Sequence, residues 1–244
     1  MKPLEQRLGE ALATIGPKPP DSAKASEKKR YSERVSQVVA EVLADELRRR
    51  GLSTARPGTV GNVDRSGAER RMSGGIGAKK VDVTWATEES GLLLGISIKS
   101  INFRDAKSGN YQKNLTNRRG DMLFEAVTLH RRFPYAVLAG FFILDAEAAD
   151  DHHGGRRKST FENAHDRLKL FTGRNDPAGR DEQYERLYIV LLDSKLPVPK
   201  LTAYLAGNPY GPVPFDRIMD ELIDLIAERD PDFYQSDSGK LLRV

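Results

Sequence analysis

The chain contains no cysteine, only one tryptophan, and no apolar run that approaches a membrane span. Without cysteine, disulfides, thiolate zinc sites and cysteine nucleophiles are excluded. The longest apolar stretch, Ala136–Leu144 (AVLAGFFIL), falls well short of the roughly 20 residues that cross a bilayer. No apolar signal-peptide core is found near the N-terminus, so a cytoplasmic location and no membrane partner are expected. A GxxxxGK phosphate loop followed by Ser or Thr is missing, as is a GxSxG elbow, which argues against an ATPase or a serine hydrolase. Neither sign of charge dominates: 39 Lys and Arg stand against 35 Asp and Glu, for a net charge of +4. So mild a basic balance permits nucleic-acid binding without requiring it.

What the chain does carry is an alternation of helical and strand patterns. Residues 1–27, with GPKPPDS in the middle, read as a flexible arm holding a short helix over Leu4–Ile15. From Glu27 to Gly51, Tyr31, Val35, Val38, Val39, Val42 and Leu47 recur at helical spacing, and Arg48, Arg49 and Arg50 before Gly51 mark a helix end. Glu33 lies off that stripe. Glu46 falls on it, close enough to the helix end to reach water. Residues 52–79 hold Pro57, several glycines and the basic Arg65, Arg70 and Arg71, and predict a short strand at Leu52–Arg56 followed by a long loop of the kind that is often functional.

Further on, Tyr111–Arg131 predicts a helix buried along Tyr111, Leu115, Met122, Ala126 and Leu129, with Asn114, Arg118, Asp121 and Glu125 on one shoulder. Ala136–Leu144 reads as a strand buried on both faces. A polar loop at Asp145–Lys158, a helix at Ser159–Phe171 and a buried strand at Arg186–Leu192 follow. Then come a proline- and glycine-rich loop at Pro197–Pro214, an amphipathic helix at Phe215–Arg229 and a loose tail after Asp230. The neighbouring His152 and His153 read as exposed, because no third ligand has suitable spacing; His130 and His165 sit in predicted helices and read as structural. The whole is α/β, a mixed β-sheet flanked by helices. Its core spans 28–145, a helix–strand–helix extension spans 146–230, and 231–244 is a tail.

The stretch Lys79–Ser100 (KKVDVTWATEESGLLLGISIKS) concentrates the chemistry. Val81, Val83 and Trp85 alternate with polar or small residues, the period of a half-buried strand, and Glu88–Gly91 reads as a four-residue hairpin turn. With Thr87 facing Leu92, Asp82 lies opposite Ser97, and Lys99 points to the same side as Ser97. Leu92, Leu94, Ile96 and Ile98 form the other, apolar face. One carboxylate, one hydroxyl and one ammonium thus share a sheet face. They can be a solvated cross-strand pair, or a carboxylate that holds a hard cation beside a lysine that stabilises a phosphate oxygen or orients a water. A one-residue slip in register would send Asp82 to the wrong face.

Helix, β-meander, helix and strand, with Asp82 on the second strand and Ser97-Ile98-Lys99 on the third, resembles the PD-(D/E)xK nuclease superfamily. Type II restriction endonucleases and archaeal Holliday-junction resolvases belong to it. Glu33-Arg34 looks like the first-helix glutamate of the resolvase branch. The resemblance implies a restriction endonuclease-like fold and Mg²⁺-dependent hydrolysis of DNA phosphodiesters. Asp82 and the Ile98 carbonyl would hold the metal, Lys99 would activate water or neutralise developing charge, and Ser97 would support a water. Ser97 stands where the family usually has an acid, so Glu125, Glu69 or Glu33 would complete the carboxylates. Arg65, Arg70, Arg71, Lys79 and Lys80, with Arg118 and Arg119, would follow the backbone of double-stranded DNA. The resemblance also implies a homodimer. The expected activity is a restriction-type endonuclease; a structure-selective junction resolvase and a catalytically silent DNA-binding module are the alternatives.

Overall fold

A six-stranded mixed sheet separates two hydrophobic cores, in a computed structural model that describes residues 2–58, 70–73, 75–152 and 158–244. Its strands are β3 (Val83–Thr87), β4 (Gly91–Ile101), β5 (Val137–Asp145), β6 (Arg186–Asp193), β7 (Lys200–Leu205) and β8 (Pro212–Val213), side by side in that order. β4, β5 and β6 run parallel, and every other neighbouring pair is antiparallel. The parallel connections require crossovers, supplied by α3 (Leu115–His130) between β4 and β5 and by α4 (Thr160–Leu168) between β5 and β6. All nine residues of β5 are buried, as its unbroken apolar sequence demands of a central strand.

One face of the sheet packs on α1 (Leu4–Ala13), α2 (Ala25–Arg49) and α5 (Phe215–Arg229); the other packs on α3 and α4. The arm expected over residues 1–27 carries α1, and Leu4, Leu8 and Leu12 are at most 1% exposed. Their i, i+4 spacing puts three leucines on one helix face, and burying each contributes roughly 1.5–3 kcal/mol. Glu46 does not reach water as expected. It is 5% exposed, and both its oxygens are held, one by Arg50 at 2.6 Å and the other by Arg7. Two guanidiniums make the burial of that carboxylate tolerable.

The C-terminal third differs further from the sequence reading. The expected loop Pro197–Pro214 contains β7 and β8, and the tail after Asp230 forms a hairpin of β9 (Tyr234–Asp237) and β10 (Lys240–Arg243). Leu241 donates its N–H to the Arg50 carbonyl, and Arg50 reaches back to the Gly239 carbonyl, which ties the hairpin to the end of α2. The strand expected at Leu52–Arg56 reduces to one bridge, Arg56 to Thr84. Within the segment expected as a long loop, β1 (Arg70–Ser73) pairs with β2 (Ala78–Val81) as a small separate sheet. Arg65, Glu69 and His153 lie outside the described residues.

Candidate functional site

The hairpin β3–β4 sets Asp82 opposite Ser97 by a different route from the one expected. The turn has three residues, with Thr87 facing Gly91, and Gly91 takes φ +71°, the left-handed conformation that closes such a loop. A shorter turn alone would slip the register by one. The ladder, however, runs from Ala86 opposite Leu92 to Trp85 opposite Leu94, leaving Leu93 as an extra residue. That bulge restores Val83 opposite Ile96, and by continuation Asp82 opposite Ser97. The same bulge reverses which way the preceding residue faces. Leu92 therefore packs in the α3 core, whereas Leu94, Ile96 and Ile98 pack in the α2 core, so the single apolar row expected from Leu92 to Ile98 is divided.

Asp82 itself sits in a break. The continuous strand expected from Val81 to Trp85 is interrupted there: Val81 faces the α3 core, and Val83 and Trp85 face the α2 core. Because β3 starts only at Val83, the Ile98 N–H has no ladder partner beyond it. The Asp82 carboxylate takes that N–H, with Oδ2 2.6 Å from Ile98 N. In a strand, the N–H and C=O of one residue point to the same side. The Ile98 carbonyl therefore faces the Asp82 side of β4.

Lys99 lies between two acids. Its Nζ is 3.7 Å from Asp82 Oδ2 and 3.4 Å from Glu125 Oε2, and the three side chains are 16%, 17% and 5% exposed in the order Lys99, Asp82, Glu125. Glu125 reaches the strand because α3 packs close to the sheet. Gly140 on β5 makes room for it: a Cβ there would stand 2.6 Å from Met122 Cε, one turn before Glu125. Burial works against the Lys99 charge, but the Glu125 and Asp82 carboxylates outweigh it, and the net effect raises the ammonium pKa above its ordinary value. Burial raises the Glu125 pKa, with Lys99 pulling the other way. Ser97, 1% exposed, lies beside Glu125 and the Tyr184 phenol, yet its hydroxyl forms no hydrogen bond of normal geometry. Tyr184 instead donates to the Met122 carbonyl at 2.9 Å.

Asp82, Ile98, Lys99 and Glu125 form the floor of a cleft of about 1300 Å³ that α2 walls on one side and α3 on the other. Of the other expected site residues, Glu33 lines the α2 wall, 65% exposed, and pairs with Lys29 at 3.7 Å rather than with the Lys99 group. Lys80 and Arg118 line the cleft; Arg118 lies 3.8 Å from Asp121. Arg119 turns away, with its guanidinium 6.0 Å from the Phe171 ring. Arg70 and Arg71 lie on β1 and Lys79 on β2, and for these three residues the backbone alone is described. The polar floor beyond Lys99, made of Ser100 and Asn102 against Ser36 and Ser32 of α2, carries no motif and escapes a sequence reading.

The donor set suits a hard divalent cation. Two carboxyl groups flank the ammonium, the Ile98 carbonyl adds an oxygen, and Mg²⁺ is commonly held by only one or two carboxylates with water filling the rest. Among the described residues, no group of three or more His, Asp or Glu side chains gathers around a single point. No protein-family model matches the chain, and neither a curated protein nor a solved structure matches it.

Proposed function

We propose that the protein is a Mg²⁺-dependent endonuclease that hydrolyses DNA phosphodiester bonds, with Asp82, Lys99 and Glu125 as its working residues. The observation that carries this reading is one lysine held between two carboxylates on the floor of an open cleft, beside a strand-edge carbonyl. Asp82 and Glu125, with the Ile98 carbonyl, are the residues that would hold the cation. Mg²⁺ bound there supplies Lewis-acid stabilisation of a phosphate oxygen and acidifies a bound water.

The side chains divide the remaining work. The Asp82 carboxylate is fixed by its hydrogen bond from Ile98, so its orientation is set before any ligand arrives. Lys99 stays cationic across the neutral range, and its position beside both carboxylates lets it neutralise charge that develops on a phosphate. Ser97 is neutral and buried, a poor ligand for Mg²⁺; its role in this reading is to leave room for Glu125, whose carboxylate replaces the acid that Ser97 lacks. Lys80 and Arg118 at the rim contribute backbone contacts that do not depend on base sequence.

The test is cleavage of plasmid and oligonucleotide DNA with Mg²⁺ and with EDTA, comparing wild type with Lys99→Ala. Cleavage that needs Mg²⁺ and falls at least about a hundredfold in the variant supports the assignment. Equal cleavage by both proteins removes Lys99 from the chemistry.

A further inference from the structure

The cleft continues beyond the Lys99 group to the turn that precedes α3, where neutral amides and hydroxyls line it beside Arg104 and Asp105. Ser100 faces Ser36 at 3.4 Å, and Asn102 Nδ2 donates to Ser32 at 3.1 Å. Asn102 is 2% exposed and Asn110 1%, and both lie in the cleft wall. Asn102 Oδ1 and Asn110 Nδ2 nevertheless make no hydrogen bond. An unmade bond on a buried amide costs about 1–3 kcal/mol, and buried amides are normally paired. One unpaired acceptor and one unpaired donor in the wall of an open cleft suit a ligand that offers both on a neutral edge. A nucleobase edge does so, and the amide oxygen and nitrogen of asparagine are among the groups that pair with it.

The rim above this floor is basic on both sides. Lys28 and Lys29 stand on the α2 wall, with Lys113 and Arg118 on the wall leading into α3. Lys28 donates to the Asp21 carbonyl and lies 5.8 Å from the Phe103 ring centre, and Lys29, Lys113 and Arg118 pair with acids at 3.7, 2.6 and 3.8 Å while themselves 46–76% exposed. Such exposed pairs are worth about 0–1 kcal/mol, so phosphates displace them at little cost. Cations on two facing walls flank a single chain of phosphates, the pattern of grooves that hold unpaired strands. A duplex keeps its bases stacked inside and its phosphates outside, and cannot lower a base to a floor walled on both sides. The volume also exceeds the roughly 300–1000 Å³ of small-molecule pockets, which leaves room for a run of nucleotides.

We infer that the cleft takes a single-stranded segment of DNA, with one base seated at Asn102 and Asn110 and a neighbouring phosphate at Asp82, Lys99 and Glu125; the assignment rests on the nuclease reading above. The segment can be a free end, a flap or an opened stretch of duplex.

The full chain is titrated, with Ca²⁺ replacing Mg²⁺, into a labelled 12-mer as single strand and as blunt duplex, with binding read by fluorescence anisotropy. The single strand is expected to bind at least about tenfold tighter. Asn102→Ser and, separately, Asn110→Ser should each weaken single-strand binding by about tenfold, measured at a temperature where a parallel melting curve shows the variant fully folded. Lys28→Ala with Lys113→Ala should lower the slope of log K against log salt by about 2. Duplex binding as tight as single-strand binding, or binding unchanged in both asparagine variants, overturns the inference. If Mg²⁺ then still drives Lys99-dependent cleavage of blunt duplex, the nuclease reading stands and only the single-strand assignment falls. If neither form of DNA is bound or cut, both fall.

Discussion

Two buried charge clusters each draw a residue from α3, and they are built on opposite plans. In one, Glu185 is the centre, and its two oxygens receive Arg174 at 3.1 Å, Arg229 at 2.7 Å and the Leu138 N–H at 2.6 Å, with His130 Nε2 at 3.3 Å. Glu185 and Arg174 are wholly buried, and the arginines also reach the Pro134, Pro177 and Ala136 carbonyls. In the other, the cation Lys99 is the centre, with an acid on either side, a buried Ser97 hydroxyl left unpaired and a cleft above. The first satisfies its central carboxylate within the protein and joins α3, α5, β5 and the segment ahead of β6. The second sets its two carboxyl groups at the floor of a cleft, where a cation can arrive. Burial of charge alone does not mark a site; an opening onto the charged groups is the feature that separates the two clusters.

The comparison breaks most sharply at Glu185. Glu185→Ala leaves two guanidiniums without their carboxylate and should destabilise the fold by about 3–5 kcal/mol, read as a fall in denaturant midpoint. Burial raises the Glu185 pKa, but His130, Arg229 and the Leu138 N–H outweigh it, and the net direction is downward. Its stabilisation is therefore present above the unfolded carboxylate pKa and lost as pH falls through the lower folded value. Asp82→Asn should do the reverse: cleavage falls about 10²–10³-fold while the denaturant midpoint moves little. A variant at Asp82 that unfolds the protein, or one at Glu185 that leaves stability intact, would erase the distinction.

The pH response sharpens it further. The Glu125 pKa is raised above the ordinary carboxylate range, so Glu125 favours the folded state at low pH and that contribution is lost as pH rises through its folded pKa. Cation binding requires the ionised form. Divalent-ion affinity should therefore increase with pH through a midpoint above that of an exposed glutamate, and Glu125→Gln should flatten the profile. His165, packed against Phe161 and Tyr204 and accepting the Gly207 N–H, has a pKa pushed down by burial to about 4. The unfolded chain binds the proton first, so stability is complete above about pH 6.5 and should drop by roughly 2–3 kcal/mol as pH falls to 4. His165→Gln should remove that part of the acid sensitivity in urea titrations. Smallest of all, Ser97→Ala deletes a hydroxyl that makes no normal hydrogen bond, and stability should change by less than about 1 kcal/mol.

The α/β class, the helices α2, α3 and α5 and the fully buried β5 are legible because their apolar periods are long and uninterrupted. The facing of Asp82 and Ser97 is legible as well, although the three-residue turn and the bulge at Leu93 are not; two local departures of opposite sign return the expected register. β7 is hidden because Pro197, Pro199 and Pro212 around it signal loop, yet its six residues complete the sheet beside β6. Glu46 looks solvated because nothing nearby in sequence announces Arg7, which arrives from α1. The Glu185 cluster is invisible for the same reason, since its members come from positions 130, 174, 185 and 229. Glu125 as a partner of Lys99 follows from its place at the edge of the α3 stripe, whereas Asn102 and Asn110 sit in connecting chain without any period.

The central claim is that the acids flanking Lys99 form a divalent-cation site. Its most direct test is calorimetric titration of Mn²⁺ into the wild type and into Asp82→Asn and Glu125→Gln. The account requires saturable binding by the wild type that weakens at least tenfold in each variant; absence of binding, or equal affinity in all three proteins, contradicts it.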